Sequence, residues 1–221
     1  MSVMIPLKSI ALRQGSAIAL HSLTWQECER ILDDLDEDRH TRIAYCYGTL
    51  EIMPPLSRHE RPHRITGDIV KAILGSQGKD WEDFGSTTFY CKGRAGIEPD
   101  TCFYIAANPD RVRSCQGRID VEIYPPPDLV IEPDLVIESD VTSRTVVSAY
   151  VVIAVPEIWI YCDNNLQIFL LENEKYIEAE DSLMLPDLEL KTLIPQLVSR
   201  ALAIGTSAML REFRKSLQTL I

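Results

Sequence analysis

Acidic side chains are concentrated in two short stretches of this 221-residue chain, and their types and spacing could support chemistry. One stretch places Asp134, Glu138 and Asp140 around the apolar run at residues 135–137, and the other covers residues 98–100. Side chains alternate along a strand, so the three acids of the first stretch are expected on one face. Acids on a buried strand are costly unless they are protonated, paired or bound to a cation.

These acids predict a site for a divalent cation, with Asp100, Glu138, Asp134 and Asp140 as candidate ligands. Two carboxylates about 4 Å apart repel by roughly 4 kcal/mol at an effective dielectric near 20, and a cation removes that repulsion. Oxygen ligands without thiols favour Mg²⁺ or Mn²⁺ over zinc. Such an ion activates water and stabilises phosphoryl oxygens, which indicates metal-dependent phosphodiester hydrolysis. Alternatively, Asp134 and Asp140 are strand-end residues and Glu98 is solvated.

Periodic segments around the acids predict the elements that position them. Thr24 and Glu27 have the spacing of a capping box and open a helix, and residues 41–53 alternate as a hairpin that turns near Gly48. Residues 57–76 predict a helix that is regular from Pro62. Further strands are predicted at residues 86–91, 101–105, 157–161, 166–171 and 176–178. Further helices are predicted at 144–153 and 193–220, the latter interrupted around Gly205.

The hexapeptide PDLVIE occurs twice in tandem, at residues 127–132 and 133–138. Proline cannot donate a hydrogen bond to a neighbouring strand, so Pro133 allows only one copy in the middle of a sheet. We predict that the second copy is central, because the segment DVTS follows it directly, and that the first copy forms an extension or bulge.

Composition predicts an ordinary soluble protein, because 46% of the residues are hydrophobic and 25% are charged. The net charge of −11 argues against diffuse binding to nucleic acid or to an anionic membrane, so a nuclease would need local basic patches. The N-terminus does not resemble a signal peptide, and the six scattered cysteines favour a reducing, cytoplasmic location. His59 and His63 are four residues apart, but the intervening Pro62 favours surface histidines over a metal pair.

Five motifs in fixed order, between about Tyr45 and Tyr161, resemble the Uma-type restriction endonuclease family: EIMPPLSRHE, GIEPDTCFYI, PPPDLVIE, DVTSRT and VPEIW. The resemblance implies an α/β (α+β), restriction-endonuclease-like fold with a mixed central β-sheet flanked by helices. It implies one domain over residues 1–221, with an N-terminal arm and helix in 1–40 and a helical region in 190–221. The implied activity is Mg²⁺- or Mn²⁺-dependent hydrolysis of DNA, without a membrane partner, and homodimerisation is compatible with it.

Within this resemblance, Asp100 matches the acid of the PD element, Glu138 matches the acid of the (D/E)XK element, and Glu60 matches a further helical acid. The lysine of (D/E)XK would fall at Asp140, and the helical position where many relatives carry a basic residue is Val146. Lys92 is the candidate that could supply the missing charge. The departures favour either a catalytically impaired nuclease or a non-catalytic nucleic-acid-binding or regulatory protein; a third reading is a structural or dimerisation module.

Overall fold

The computed structural model describes residues 16–35, 41–54, 60–85, 87–106, 108–115, 117–133 and 141–220. The helices of these residues are α1 (Trp25–Leu35), α2 (Glu60–Ser76), α3 (Pro109–Val112), α4 (Val141–Ile153), α5 (Leu190–Ile204) and α6 (Thr206–Leu220). The strands are β1 (Ile18–Leu20), β2 (Arg42–Cys46), β3 (Thr49–Met53), β4 (Trp81–Phe84), β5 (Phe89–Cys91), β6 (Ala95–Ile97), β7 (Thr101–Ile105), β8 (Ile119–Asp120), β9 (Leu129–Glu132), β10 (Glu157–Cys162), β11 (Asn165–Glu172) and β12 (Lys175–Ala179). None of the helices in this part of the chain has the length and apolar composition needed to cross a membrane.

The strands form two sheets rather than one. The first sheet has the order β1-β3-β2-β6-β5-β8, and the second has the order β12-β11-β10-β9-β7-β4. In the second sheet β9 runs parallel to β10 and antiparallel to β7, so the sheet is mixed. Mixed sheets flanked by helices confirm the predicted fold class, and the correction is that the strands divide between two sheets.

The N-terminal helix and the hairpin form as the sequence predicts. Glu27 Oε2 accepts a hydrogen bond from the backbone N–H of Thr24 at 2.8 Å, and Thr24 Oγ1 accepts one from the N–H of Glu27 at 3.3 Å. These reciprocal bonds satisfy donors that the first helical turn leaves free. Buried Cys28 and Leu32 of α1 then pack against the apolar face of the β2–β3 hairpin. This packing holds β2, which carries Arg42 at its start.

Helix α4 lies between the two sheets and places side chains against both. Its buried residues share one apolar cluster with residues of β2, β5 and β6 from the first sheet and of β7, β9 and β10 from the second. The opposite face of the second sheet is covered by α2, α5 and α6. One face of β7 and β9 therefore packs against α4.

The first PDLVIE copy lies inside the second sheet. Its residues Leu129–Glu132 form β9, whereas Asp134 and the rest of the second copy lie outside the described residues. The prediction that the second copy is central was wrong. Asp128, which directly precedes β9, makes the contacts that place the first copy. Its Oδ2 accepts a hydrogen bond from the backbone N–H of Ile105, and its Oδ1 accepts one from Asn108 Nδ2, each at 2.7 Å. They fix the first copy beside β7, and Pro133 ends the strand.

The glutamate of the VPEIW motif has a structural role. Glu157 is fully buried at the start of β10, where its carboxylate accepts hydrogen bonds from Trp159 Nε1 and from the backbone N–H groups of Leu183 and Met184. The two backbone bonds measure 2.8 and 3.2 Å. One carboxylate thus ties the loop before α5 to the centre of the second sheet.

Candidate active site

Two carboxylates meet where β7 begins and β9 ends. The strands are antiparallel with Thr101 opposite Ile131, so the same register places Asp100 opposite Glu132. Directly opposed residues on antiparallel strands direct their side chains to the same face. Glu132 is 6% exposed, and its neighbour Val130 faces the α4 layer. The sequence therefore brings two acids together between a strand of the sheet and the helix that covers it.

Arg42 joins both carboxylates from the other sheet. Its Nη2 forms an ion pair with Asp100 Oδ1, and its Nη1 lies 3.5 Å from Glu132 Oε2. The side chain of Arg42 is 21% exposed and that of Asp100 is 15% exposed, so the cluster lies at the edge of the core. Two acids from adjacent strands thus converge on one cationic group.

Tyr150 of α4 completes the surroundings of Glu132. Its hydroxyl donates a hydrogen bond to Glu132 Oε1. Burial raises the pKa of Tyr150 well above its usual value, so the hydroxyl stays a donor throughout the physiological range. Because Tyr150 Oη and Arg42 Nη1 approach different oxygens of Glu132, the carboxyl group is held from two sides.

The electrostatics of the pair favour one proton on Glu132. Burial, with the nearby charge of Asp100 as the second cause, raises the pKa of Glu132 to about 8; Arg42 and the Tyr150 hydroxyl oppose the rise. One guanidinium can neutralise one carboxylate, and the deeper acid then keeps its proton at neutral pH. Without metal, the cluster formed by Arg42, Asp100 and Glu132 is close to neutral.

His63 of α2 supports the end of β9 from the side opposite α4. Its Nε2 lies 2.8 Å from the carbonyl oxygen of Ile131, and because a carbonyl only accepts, Nε2 is the donor. The side chain is 4% exposed, and burial lowers the pKa of His63 despite the charge of Asp100. A neutral, buried histidine replaces the surface histidine that the sequence predicted.

Asp100 retains one oxygen for a further ligand. Oδ2 is buried and has no hydrogen-bond partner among the described residues. A buried carboxylate oxygen without a donor is unfavourable, and a divalent cation is one group that satisfies it. The donor set of two carboxylates suits a hard cation such as Mg²⁺ or Mn²⁺.

Replacing Glu132 with glutamine should stabilise the metal-free protein more at pH 8 than at pH 5. The folded-state pKa of about 8 exceeds the ordinary value of 4.5, so the folded chain holds a proton that the unfolded chain loses between these values. Wild-type stability therefore falls by roughly 1 kcal/mol per pH unit in this window, and the variant lacks that loss. Urea unfolding in the presence of a chelator at three pH values measures the difference in unfolding free energy between variant and wild type. Glu172→Gln, at an exposed position, is the control. A difference that does not change with pH would contradict the prediction.

Comparison with known proteins identifies the family of this chain. A family model described as "Uma2: Putative restriction endonuclease" matches residues 25–204. The chain belongs to this family. It is also similar to the crystal structure of "a putative nuclease belonging to DUF820 from Anabaena variabilis ATCC 29413", with a TM-score of 0.50, 14% identity, and coverage of 85% of this chain and 99% of that one. At this identity the likeness concerns the fold alone. None of the curated proteins compared with the chain matches it.

In this member of the Uma2 family, the described residues contain part of the predicted site. Asp100 lies in the cluster, whereas Asp134, Glu138 and Asp140 lie outside the described residues. Glu60 is the first residue of α2, and its side chain is not described. No group of three or more His, Cys, Asp or Glu side chains suited to a metal ion occurs in the part of the chain that the structure describes.

Lys92 is not brought to the acids. It lies in the exposed turn between β5 and β6, where the backbone N–H of Tyr47 bonds the carbonyl of Arg94 at 2.9 Å. That contact places the turn beside the β2–β3 turn, whereas Arg42 lies at the opposite end of β2. Val146, by contrast, is buried on α4 one helical turn before Tyr150, on the face that reaches Glu132.

Sequence reasoning missed three residues that this Uma2-family site uses. Glu132 belongs to the PDLVIE copy that was predicted to form an extension or bulge, and Tyr150 was not among the candidate site residues. Arg42 carried a weak signal: it is a charged residue at the start of an otherwise apolar, alternating strand. A charge in such a position needs a partner, and the partner is distant in sequence.

Proposed function

We propose that this protein is a divalent-metal-dependent endonuclease that hydrolyses phosphodiester bonds in DNA, and that the reaction is slow. The observation that carries the proposal is the convergence of Asp100 and Glu132, from adjacent strands, on one cationic group. A pair of carboxylates that already shares a guanidinium is arranged to share a metal ion. Membership of the Uma2 family supports the assignment to nucleic acid hydrolysis.

Asp100 and Glu132 would hold Mg²⁺ or Mn²⁺, and Glu132 takes the role that the family resemblance implied for Glu138. When bound, the ion would activate a water molecule and stabilise charge on a phosphoryl oxygen. Tyr150 orients Glu132 through its hydroxyl, and His63 fixes the preceding carbonyl, so both are positioning residues. Glu60, at the start of the neighbouring helix, is the further acid of the proposal.

Slow turnover follows from the missing lysine of the (D/E)XK pattern. Counting from Glu132, the lysine of the (D/E)XK pattern falls at Asp134, and the alternative helical position is the buried, apolar Val146. A positive group near the scissile phosphate commonly contributes on the order of 10² to 10³ in rate. Plasmid cleavage by the wild type should therefore be weak with either metal.

Metal binding tests the site without relying on turnover. We expect Mn²⁺ to raise the melting temperature of the wild type, because binding to the folded state alone is stabilising. Asp100→Asn and Glu132→Gln should each remove that response and also the residual cleavage. Glu138→Gln is the matched control, since it changes the same residue type in the second PDLVIE copy.

The control decides which copy supplies the metal ligand. A metal response that survives Glu132→Gln and disappears in Glu138→Gln would assign the ligand to the second copy. If the wild type shows no response to submillimolar Mn²⁺, the acids are structural and the endonuclease proposal fails.

A second function is favoured by Arg42. Because its guanidinium already pairs with Asp100, that carboxylate has a counter-ion without a metal, and the fold could serve as a non-catalytic nucleic-acid-binding or regulatory protein. Metal-independent binding of duplex DNA, with no cleavage by wild type or by Asp100→Asn, would favour this function over hydrolysis.

A further inference from the structure

Arg42 is the cationic residue of the cluster, and the family resemblance did not predict its position. It begins β2 in the first sheet, while its two partners belong to the second sheet, so the ion pairs cross between the sheets. Its guanidinium contacts Asp100 Oδ1 and lies 3.5 Å from Glu132 Oε2. These carboxylates are the ones that the proposed metal ion would need.

A metal ion and the guanidinium cannot both stay at these oxygens. Two cations bound to the same pair of carboxylates would lie within a few ångströms of each other and repel, more strongly than in bulk water because the carboxylates are mostly buried. The buried Oδ2 of Asp100 has no partner among the described residues, so an incoming ion has one oxygen to bind before Arg42 leaves. The Arg42 side chain is 21% exposed, which gives the guanidinium an open side to move toward.

The described side chains around the site leave Arg42 as the cationic group available to bind a phosphate. Val146 is buried and apolar, and His63 donates to the Ile131 carbonyl. Lys92 lies in the exposed β5–β6 turn, away from the acids. Arg42 is thus the cation that directly contacts both acids among the described residues. Guanidinium groups bind phosphate oxygens with paired, charge-assisted hydrogen bonds, which makes arginine suited to a phosphodiester.

We propose that Arg42 is a tethered counter-ion that a divalent cation displaces from Asp100 and Glu132, and that the displaced guanidinium then binds the substrate phosphate. The inference rests on the proposed metal-dependent function. It makes one side chain weaken metal binding and strengthen phosphate binding. Removal of the guanidinium favours the metal, and it weakens contact with the phosphate.

Calorimetric titration with MnCl₂ tests the first half. Arg42→Gln should bind Mn²⁺ about tenfold more tightly than the wild type, because the ion no longer competes with a charge-assisted pair. Arg42→Lys keeps the charge on a single contact point and should fall between the two. Arg118→Gln is the matched control. It removes an exposed arginine that lies beside the edge strand β8 and pairs with Asp33 of α1, not with the acids of the site.

Binding of a short duplex DNA in the presence of saturating CaCl₂ tests the second half. Arg42→Gln should bind about tenfold more weakly than the wild type and Arg118→Gln, and Arg42→Lys should retain part of the affinity. Arg42→Lys also protects the test if the glutamine variant does not fold, because lysine preserves the charge balance of the two acids.

The outcomes separate this inference from the proposed function. Equal Mn²⁺ affinity in wild type and both Arg42 variants would overturn the displacement, although metal binding itself would stand. Tighter metal binding with unchanged DNA affinity would overturn the phosphate contact. If neither wild type nor variants bind Mn²⁺, the metal site is absent, and the proposed function fails together with the inference.

Discussion

Replacing Glu157 with leucine should lower the free energy of unfolding by about 3 kcal/mol, because buried donors lose their acceptor. Trp159 Nε1 and the Leu183 N–H both donate to this carboxylate, whereas Met184 N–H also lies 3.1 Å from Ser182 Oγ. Leucine adds apolar area but accepts no hydrogen bond. The loss corresponds to a fall in melting temperature of roughly 10 °C for a chain of this size.

Thermal unfolding followed by circular dichroism measures this loss against two comparison variants. Glu157→Gln keeps one carbonyl oxygen as an acceptor and should lose about 1 kcal/mol. Glu172→Leu changes an exposed glutamate at the end of β11 and should have the melting temperature of the wild type. A leucine variant of wild-type stability would show that the loop before α5 does not need its tie to β10.

Much of the scaffold was predictable because its signals are local. The capping box at Thr24, the hairpin turn near Gly48 and the two C-terminal helices separated at Gly205 each depend on residues within a few positions. In contrast, no strand was predicted at β6, because its three residues, Ala95–Ile97, are too few and too small to show alternation. It forms because β2 and β5 pair with it on both sides.

The central strand could not be chosen from the sequence, because both PDLVIE copies have the same apolar pattern and the same flanking proline. The choice depends on what lies beside each copy. Tyr104 Oη donates to the Pro125 carbonyl at 2.9 Å, and the N–H of Asp128 bonds the Phe103 carbonyl at 2.8 Å. These contacts join β7 to Asp128 of the first copy and to Pro125 just before it, across more than twenty residues of the chain.

The same limit applies to the site. Asp100 was predictable because the acid follows a proline at the start of a strand-like run, and the resemblance gave it a role. Arg42 lies 58 positions before it in the sequence. Their ion pair exists only because the two sheets pack around α4, and no short-range pattern reports that packing.

Replacing Val146 with lysine should raise metal-dependent plasmid cleavage at least about 100-fold over the weak wild-type activity, because it supplies the ammonium group that the (D/E)XK pattern lacks in this chain. Val146 lies one turn before Tyr150, whose hydroxyl reaches Glu132, so a side chain at 146 starts on the face that covers the site. The lysine stem can lie along the apolar cluster around α4 while its ammonium group approaches Glu132. That pairing offsets the cost of burying the charge.

Matched variants separate the charge from its position. Ser148→Lys adds the same residue to the exposed face of α4, and Val146→Met adds length without charge; neither should gain activity. Combining Val146→Lys with Asp100→Asn should return cleavage to the background, since the metal ligand is lost. If Val146→Lys folds, binds Mn²⁺ and still cleaves no faster than the wild type, the missing cation is not the limiting defect. Strong wild-type cleavage would instead show that a cation already acts at the site, and loss of that cleavage in Arg42→Gln would identify it as Arg42.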